Sequence, residues 1–356
     1  MKSNTLKISR CVCSSASAPS LVLLFLSLLL LASSPIALAD AVSDLASFSI
    51  FDKVDLVQLA KSDVKTAHGP PMSNPRFLAV QSCYVVPGSP AQQIEALRRW
   101  DPTKHRELKV FLHTDLPSNP TAANFEKLKN APDNGPVRSL VAATQKLSSD
   151  LQISRDEAKK FSAGGAAGGG MPAPVAAFWT DVLAARAKSF ASGGTSGQPP
   201  YDHSGNAIRS GDELNGLLKE QGKIRGQFSG FLGATGIGRG AGSLKPELYW
   251  ELLDVDDQGV VTLGASYSRS GAGGSYQAAD VLYYASGGYY VALTLYQMWP
   301  VTVEGKASSL VWRGDMISAA SLGSLHGIER LGSESVMMKN ITKAVTLFRR
   351  DTGGNR

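Results

Sequence analysis

Residues 248–350 constrain this chain more than any other stretch. Candidate strands at 248–254, 260–267, 280–285, 289–298 and 309–317 follow one another, and a long amphipathic helix closes the run. Strands in that order pair antiparallel, and a helix after them buries its apolar stripe on the sheet. The turns carry suitable chemistry. Asp256-Asp257-Gln258-Gly259 reads as a hairpin turn, and Gly287-Gly288 as a two-residue loop that favours primed turns. Residues 268–275 form a longer Gly-rich loop. Within 289–298, Tyr289, Val291, Leu293 and Leu295 alternate with Tyr290, Ala292, Thr294 and Tyr296, and Pro300 is expected to end the strand. Ser333 is placed to cap the last helix. Met337, Ile341, Ala344, Val345 and Phe348 share one stripe of it, with Lys339, Lys343, Arg349 and Arg350 on the other face and in the last turn. The expected fold is α+β: a curved antiparallel sheet packed on a long C-terminal helix, with a helical insertion.

The insertion is read from a change of texture upstream. Residues 77–86 alternate as a strand, with Phe77, Ala79, Gln81, Cys83 and Val85 on one face and Leu78, Val80, Ser82, Tyr84 and Val86 on the other. Gly88 breaks the strand. Ser89 and Pro90 then open a helix that reaches Trp100, with Ile94 and Leu97 inward, and Asp101-Pro102 stops it. Residues 107–113 read as another strand. From 117 to 247 the chain offers short helical pieces between loops that are Gly-rich at 164–170 and Gly/Ser-rich at 192–200. Ser154 and Ser210 each start a capping-box pattern. Val175, Phe178, Trp179, Val182 and Leu183 make one convincing core stripe. The reading is a single domain at 40–350 that carries 117–247 as a Gly-rich helical insertion, with 351–356 as a flexible tail.

The N-terminus has Lys2, Lys7 and Arg10, an apolar run from 21 to 32, and Ala37-Leu38-Ala39. Those are the basic, apolar and small-residue parts of a secretory signal, with cleavage expected between Ala39 and Asp40. The apolar run is shorter than the roughly 20 residues of a comfortable membrane span, so cleavage is the leading reading, and the long basic segment leaves an uncleaved anchor as the alternative. The expected location is therefore outside the cytoplasm, periplasmic or extracellular, with no integral span after cleavage. Cleavage removes those three bases and no acid, so the formal charge falls from +6 to +3. A balance so close to neutral gives no case for a nucleic-acid partner. Cleavage also removes Cys11 and Cys13 and leaves Cys83 alone, which excludes an intrachain disulfide and a cysteine-built zinc site. Cys83 reads either as a small buried hydrophobe in its strand or as a reactive or pairing thiol.

The segment FLAVQSCYVVPGSPAQQIEALRRW at 77–100 resembles the first strand and following helix of the START-like, helix-grip superfamily. YYVALTLYQMWPV and ITKAVTLFRRD resemble its late strands and closing helix. That resemblance implies a sheet wrapped on a C-terminal helix around an apolar cavity. It also implies a lipid, sterol or other apolar ligand. It carries over no catalytic residue, and the insertion at 117–247 departs from the compact form of the superfamily.

Other chemistry finds little support. The five histidines, His68, His105, His113, His203 and His326, include no H-x-x-x-H pair. Asp254, Asp256, Gln258 and Gly259 mimic the start of a calcium loop, but Ala265 stands where its last carboxylate belongs. There is no G-x-S-x-G, and GATGIGRG at 233–240 lacks dinucleotide or P-loop spacing. No cofactor, metal or catalytic set is expected. Asn340-Ile341-Thr342 matches a glycosylation sequon on the last helix. Asp280, Asp315, Glu329 and Arg330 are charges in apolar surroundings, read either as internal ion pairs or as acid–base groups.

The sheet is rich in Tyr and Trp, which pack apolar surface while keeping a polar handle. Either sheet packing explains them, or one face lines a pocket. On the second reading the ligand-binding residues are Tyr276, Tyr284, Tyr289, Leu293 and Leu295, with Trp299, Trp312, Met337 and Ile341. The expected function is an exported, non-catalytic binding protein for an apolar or amphipathic small molecule. The alternative is a cell-envelope structural or interaction module without a ligand, and an enzyme comes third.

Overall fold

A computed structural model describes residues 35–61, 64–162, 170–205, 207–325 and 328–353. Nearly all of the expected signal segment, most of the 164–170 loop, His326 and the end of the tail lie outside them. Two short helices, α1 (Pro35–Phe48) and α2 (Leu56–Lys61), precede β1 (Lys65–His68) and β2 (Phe77–Pro87). Helix α3 (Pro90–Arg99) follows, opened by a full capping box between Ser89 and Gln92 with Pro90 in its first turn. Two single 3-10 turns, Pro102–Lys104 and Arg106–Leu108, lead into β3 (Val110–Leu116). The strand therefore starts later than 107.

Between β3 and its neighbour β4 (Glu247–Val255) the described residues include two 3-10 stretches, Ala122–Asn130 and Gly194–Gly197, and six helices. These are α4 (Gly135–Gln145), α5 (Arg155–Ala158), α6 (Ala173–Gly193), α7 (Ser210–Glu220), α8 (Gly222–Gln227) and α9 (Ser229–Thr235). After β4 come β5 (Gln258–Ser270), β6 (Tyr276–Ala285), β7 (Val291–Val303) and β8 (Lys306–Ser318), then α10 (Ile328–Asp351).

These strands form one eight-stranded antiparallel sheet in the order β1-β2-β8-β7-β6-β5-β4-β3. The long C-terminal helix and the α+β character match expectation. The curved sheet does not. The sheet is neither curled nor closed, and β1 and β3 stand apart as its two edges. The physical reason is the insertion. Together with α1 and α2 it covers one face, so the sheet buries its apolar residues between two helical layers without wrapping around a single helix.

The alternation in β2 sorts the layers. Phe77, Ala79, Cys83 and Val85 join the main core with α1, α2 and the insertion, while Val80, Tyr84 and Val86 face α3 and α10. Tight packing recurs on the insertion side. Trp179 of α6 is fully buried and donates to the Thr144 hydroxyl at 3.0 Å. Buried Arg186 pairs with Glu157 at 2.6 Å and lies over the rings of Tyr284 and Tyr201, 4.3 and 5.3 Å from their centroids. Helix α1 is fastened by the Trp299 indole, which donates to Asp44 at 2.8 Å. Cys83 sits in this core, and burial pushes its thiol up to about 12, so the small-hydrophobe reading holds.

Local differences have local causes. Strand β7 runs through Pro300 because its ladder to β6 ends at Met298, and a residue lacking an N–H fits where a strand is paired on one side only. Its turn into β8 is the two-residue pair Glu304-Gly305, both at positive φ. The expected two-residue Gly287-Gly288 loop is instead the longer connection 286–290, which puts Tyr289 and Tyr290 out of phase with β7. Helix α10 begins at Ile328, so Ser333 lies inside it and donates to the Glu329 carbonyl. It also runs on to Asp351, the first residue of the expected tail. No helix among the described residues is long and apolar enough to cross a membrane.

Candidate functional site

The face of the sheet turned away from the insertion is only partly covered. Helix α10 crosses β1 and β2, and α3 lies over β6, β7 and β8. Between these helices, the 102–108 turns and the sheet is a cavity of about 410 Å³. Its cover is apolar: Ile94, Leu97 and Trp100 from the α3 side, Leu108 from the turns, and Ala344, Val345 and Phe348 from α10. Asp351 ties the end of α10 to this cover: it accepts from the Trp100 indole at 2.9 Å and lies 2.7 Å from His105 Nε2. The Trp100 ring meets Phe348 edge-on, with centroids 5.8 Å apart.

The floor is polar, and strand periodicity builds it. Successive side chains on a strand point to opposite faces, so one parity of each strand looks into the cavity. That parity brings His113 from β3, Tyr249 and Glu251 from β4, and Ser266 from β5. From β6, β7 and β8 it brings Asp280, Thr294 with Tyr296, and Arg313. The register sets them side by side: Ser266 opposite Asp280, Asp280 opposite Thr294, and Thr294 opposite Asp315.

Asp280 is the centre of this floor. Its carboxylate accepts from the Tyr249 hydroxyl at 2.6 Å and from the Ser266 hydroxyl at 2.5 Å. Its surface is half-buried, because the part not covered by protein opens into the cavity. Burial raises its pKa, and the two hydroxyls hold part of that rise back. Arg313 is bound to Asp315 through two nitrogens, at 2.6 and 2.8 Å, and stacks over the Tyr296 ring at 5.5 Å. Thr294 donates to the same carboxylate at 2.9 Å. Burial opposes the Arg313 charge, but Asp315 outweighs it and raises the pKa. His113 lies 3.0 Å from Glu251 through Nδ1 and 3.6 Å from Asp115 through Nε2. Burial works to lower the His113 pKa, and the Glu251 hydrogen bond with the nearby carboxylates more than offsets it, so the net shift is upward. Burial also pushes the Tyr296 phenol up to about 12 and raises Tyr249 further, so both are neutral donors near pH 7.

The ligand-binding residues chosen from sequence fall elsewhere. Tyr284, Leu293, Leu295, Trp299 and Trp312 lie on the opposite face, in the core under α1 and the insertion. Tyr276 and Ile341 are on the cavity face but pack with Val80 and Met298. Met337 packs there and, with Tyr289, in a small cluster around Leu78 and Leu322. None of them lines the cavity. Of the four isolated charges, Asp280 is in the floor, Asp315 pairs with its strand neighbour Arg313, and Glu329 is exposed in the first turn of α10, not in apolar surroundings. Arg330 holds the Pro75 and Phe77 carbonyls and lies 3.7 Å from Glu334. The residues missed were the polar partners on alternate positions of adjacent strands. Their signal was a second parity, 249/251, 294/296 and 313/315, that stays polar while its neighbours are apolar.

Among the described residues no group of three or more His, Cys, Asp or Glu side chains is arranged to hold a metal. The chain matches no protein-family model, no curated protein and no solved structure.

Proposed function

We propose that this chain is an exported binding protein for an amphipathic small molecule, held between the sheet and its α3/α10 cover. The cavity carries the reading: about 410 Å³, with an apolar cover over a polar floor, is the shape of a small-ligand site. Affinity would come mainly from apolar area against Ile94, Leu97, Val345 and Phe348, at about 25 cal/mol per Å² before ordering costs. The floor would orient the polar end. The START-like, helix-grip reading is supported by the pairing of β2 with β8 and by a C-terminal helix over the sheet, with the sheet left open. Export rests on the basic, apolar and small-residue pattern of residues 1–39. A cut after Ala39 leaves Ala41, Leu45 and Phe48 in the core.

The test is titration of the purified chain with Nile red, together with mass spectrometry of an organic extract. We expect saturable fluorescence enhancement and a stoichiometric apolar compound. Ala278→Phe, which projects a ring into the cavity, should abolish the enhancement while the melting transition persists. An empty extract and no saturable enhancement would overturn the proposal.

A further inference from the structure

The charges around the cavity do not balance, and the imbalance has a direction. Among the described residues every cation that lines it is already committed. Arg313 is held by Asp315, Arg98 by Glu95 at 2.8 Å and Glu247 at 3.1 Å, and His113 by Glu251 and Asp115. Asp280 has no such partner: among the described residues it makes no ion pair, and only the Tyr249 and Ser266 hydroxyls satisfy it. A carboxylate offers about four acceptor sites, so two neutral donors leave it room for more. Glu251 adds negative potential beside it, and the positive potential of Arg313, already spent on Asp315, offsets that only in part.

An anionic ligand would meet no uncommitted cation and two nearby carboxylates. A neutral ligand would displace water from Asp280 and leave its charge to two hydroxyls and the partial offset of Arg313, which is costly. A cation relieves both problems. It gains a charge-assisted hydrogen bond in a region where water screens little, and it finds the Tyr296 and Tyr249 rings nearby. We propose that the molecule held in this cavity carries a protonated amine on an apolar body, and that Asp280 is its counter-ion. This rests on the cavity being a ligand site.

Matched probes separate the two ideas. Octylamine, octanol and octanoate share one apolar body and differ in the head group. Each is titrated calorimetrically into the full chain near pH 7, and its displacement of Nile red reports the site. We expect octylamine to bind at least tenfold more tightly than octanol, with octanoate weakest. Asp280→Asn should remove the difference between amine and alcohol. Equal affinities, or a preference for octanoate, would overturn the amine assignment and leave the cavity reading standing. Binding of none of the probes would overturn both. The wild-type series decides the question by itself if the variant does not fold.

Discussion

The ring of Tyr249 lies across Gly264, so that a Cβ at that glycine would stand inside it, and from there the phenol reaches Asp280. Strand β5 separates Tyr249 on β4 from Asp280 on β6. Only a missing side chain on β5 leaves room for the ring at that position. A glycine within a strand marks such a close approach.

Gly264→Ala should therefore displace Tyr249 and cost about 1–3 kcal/mol, the usual penalty of overpacking. In the Tyr249→Ala background the same change should cost far less, because the obstacle is gone. Denaturant melts of the double-mutant cycle test this, and simple additivity would exclude the steric account.

Asp280→Asn should stabilise the unliganded protein at neutral pH. Burial raises the folded pKa of Asp280 above its ordinary 3.8. A raised folded value favours folding while the group is protonated. Stability is thus full below about pH 3.8 and falls as pH climbs through the folded pKa. Asparagine carries no charge and keeps one oxygen acceptor, while its amide NH2 donates to the other hydroxyl, which turns to accept; the gain is about 1–3 kcal/mol at pH 7. Urea melts across pH should show that gap closing in acid. A variant less stable than wild type at pH 7 would mean the carboxylate is better compensated than its partners indicate.

On α10, Phe348→Ala and Ile341→Ala should each cost roughly 2–5 kcal/mol, because both side chains are buried and would leave cavities. Lys343 is exposed, and its replacement by Ala should stay within about 0.5 kcal/mol. Equal losses at all three positions would contradict the docked face.

Arg186→Ala should destabilise by about 3–5 kcal/mol, since it strands the buried Glu157 carboxylate. Adding Glu157→Gln to that variant should recover part of the loss. No recovery in thermal or chemical melts would show that the cost comes from lost packing over Tyr201 and Tyr284.

Intact-mass measurement of protein recovered from its native host should give a chain beginning at Asp40. A soluble cytoplasmic form beginning at Met1 would overturn the export proposal.

The sequence by itself determined the local elements. Alternation in β2 and from Val291 in β7, the Ser89 cap with Pro90, the Asp256-Asp257 turn and the apolar stripe of α10 were legible, because each follows from backbone chemistry within a few residues; Arg349, expected on the polar side of that helix, is buried and donates to the Ala60 carbonyl. It did not determine how the layers were shared. Leu293 and Leu295 look as suited to a ligand as to a core. The parity that makes them apolar is the one the insertion covers, and their neighbours Thr294 and Tyr296 face the cavity. Tertiary structure alone decided that the sheet stays open between two helical layers, and that Tyr249, Ser266 and Asp280 meet across three strands. Such meetings depend on register and on which face each helix takes, and both are set by contacts between residues far apart in the chain.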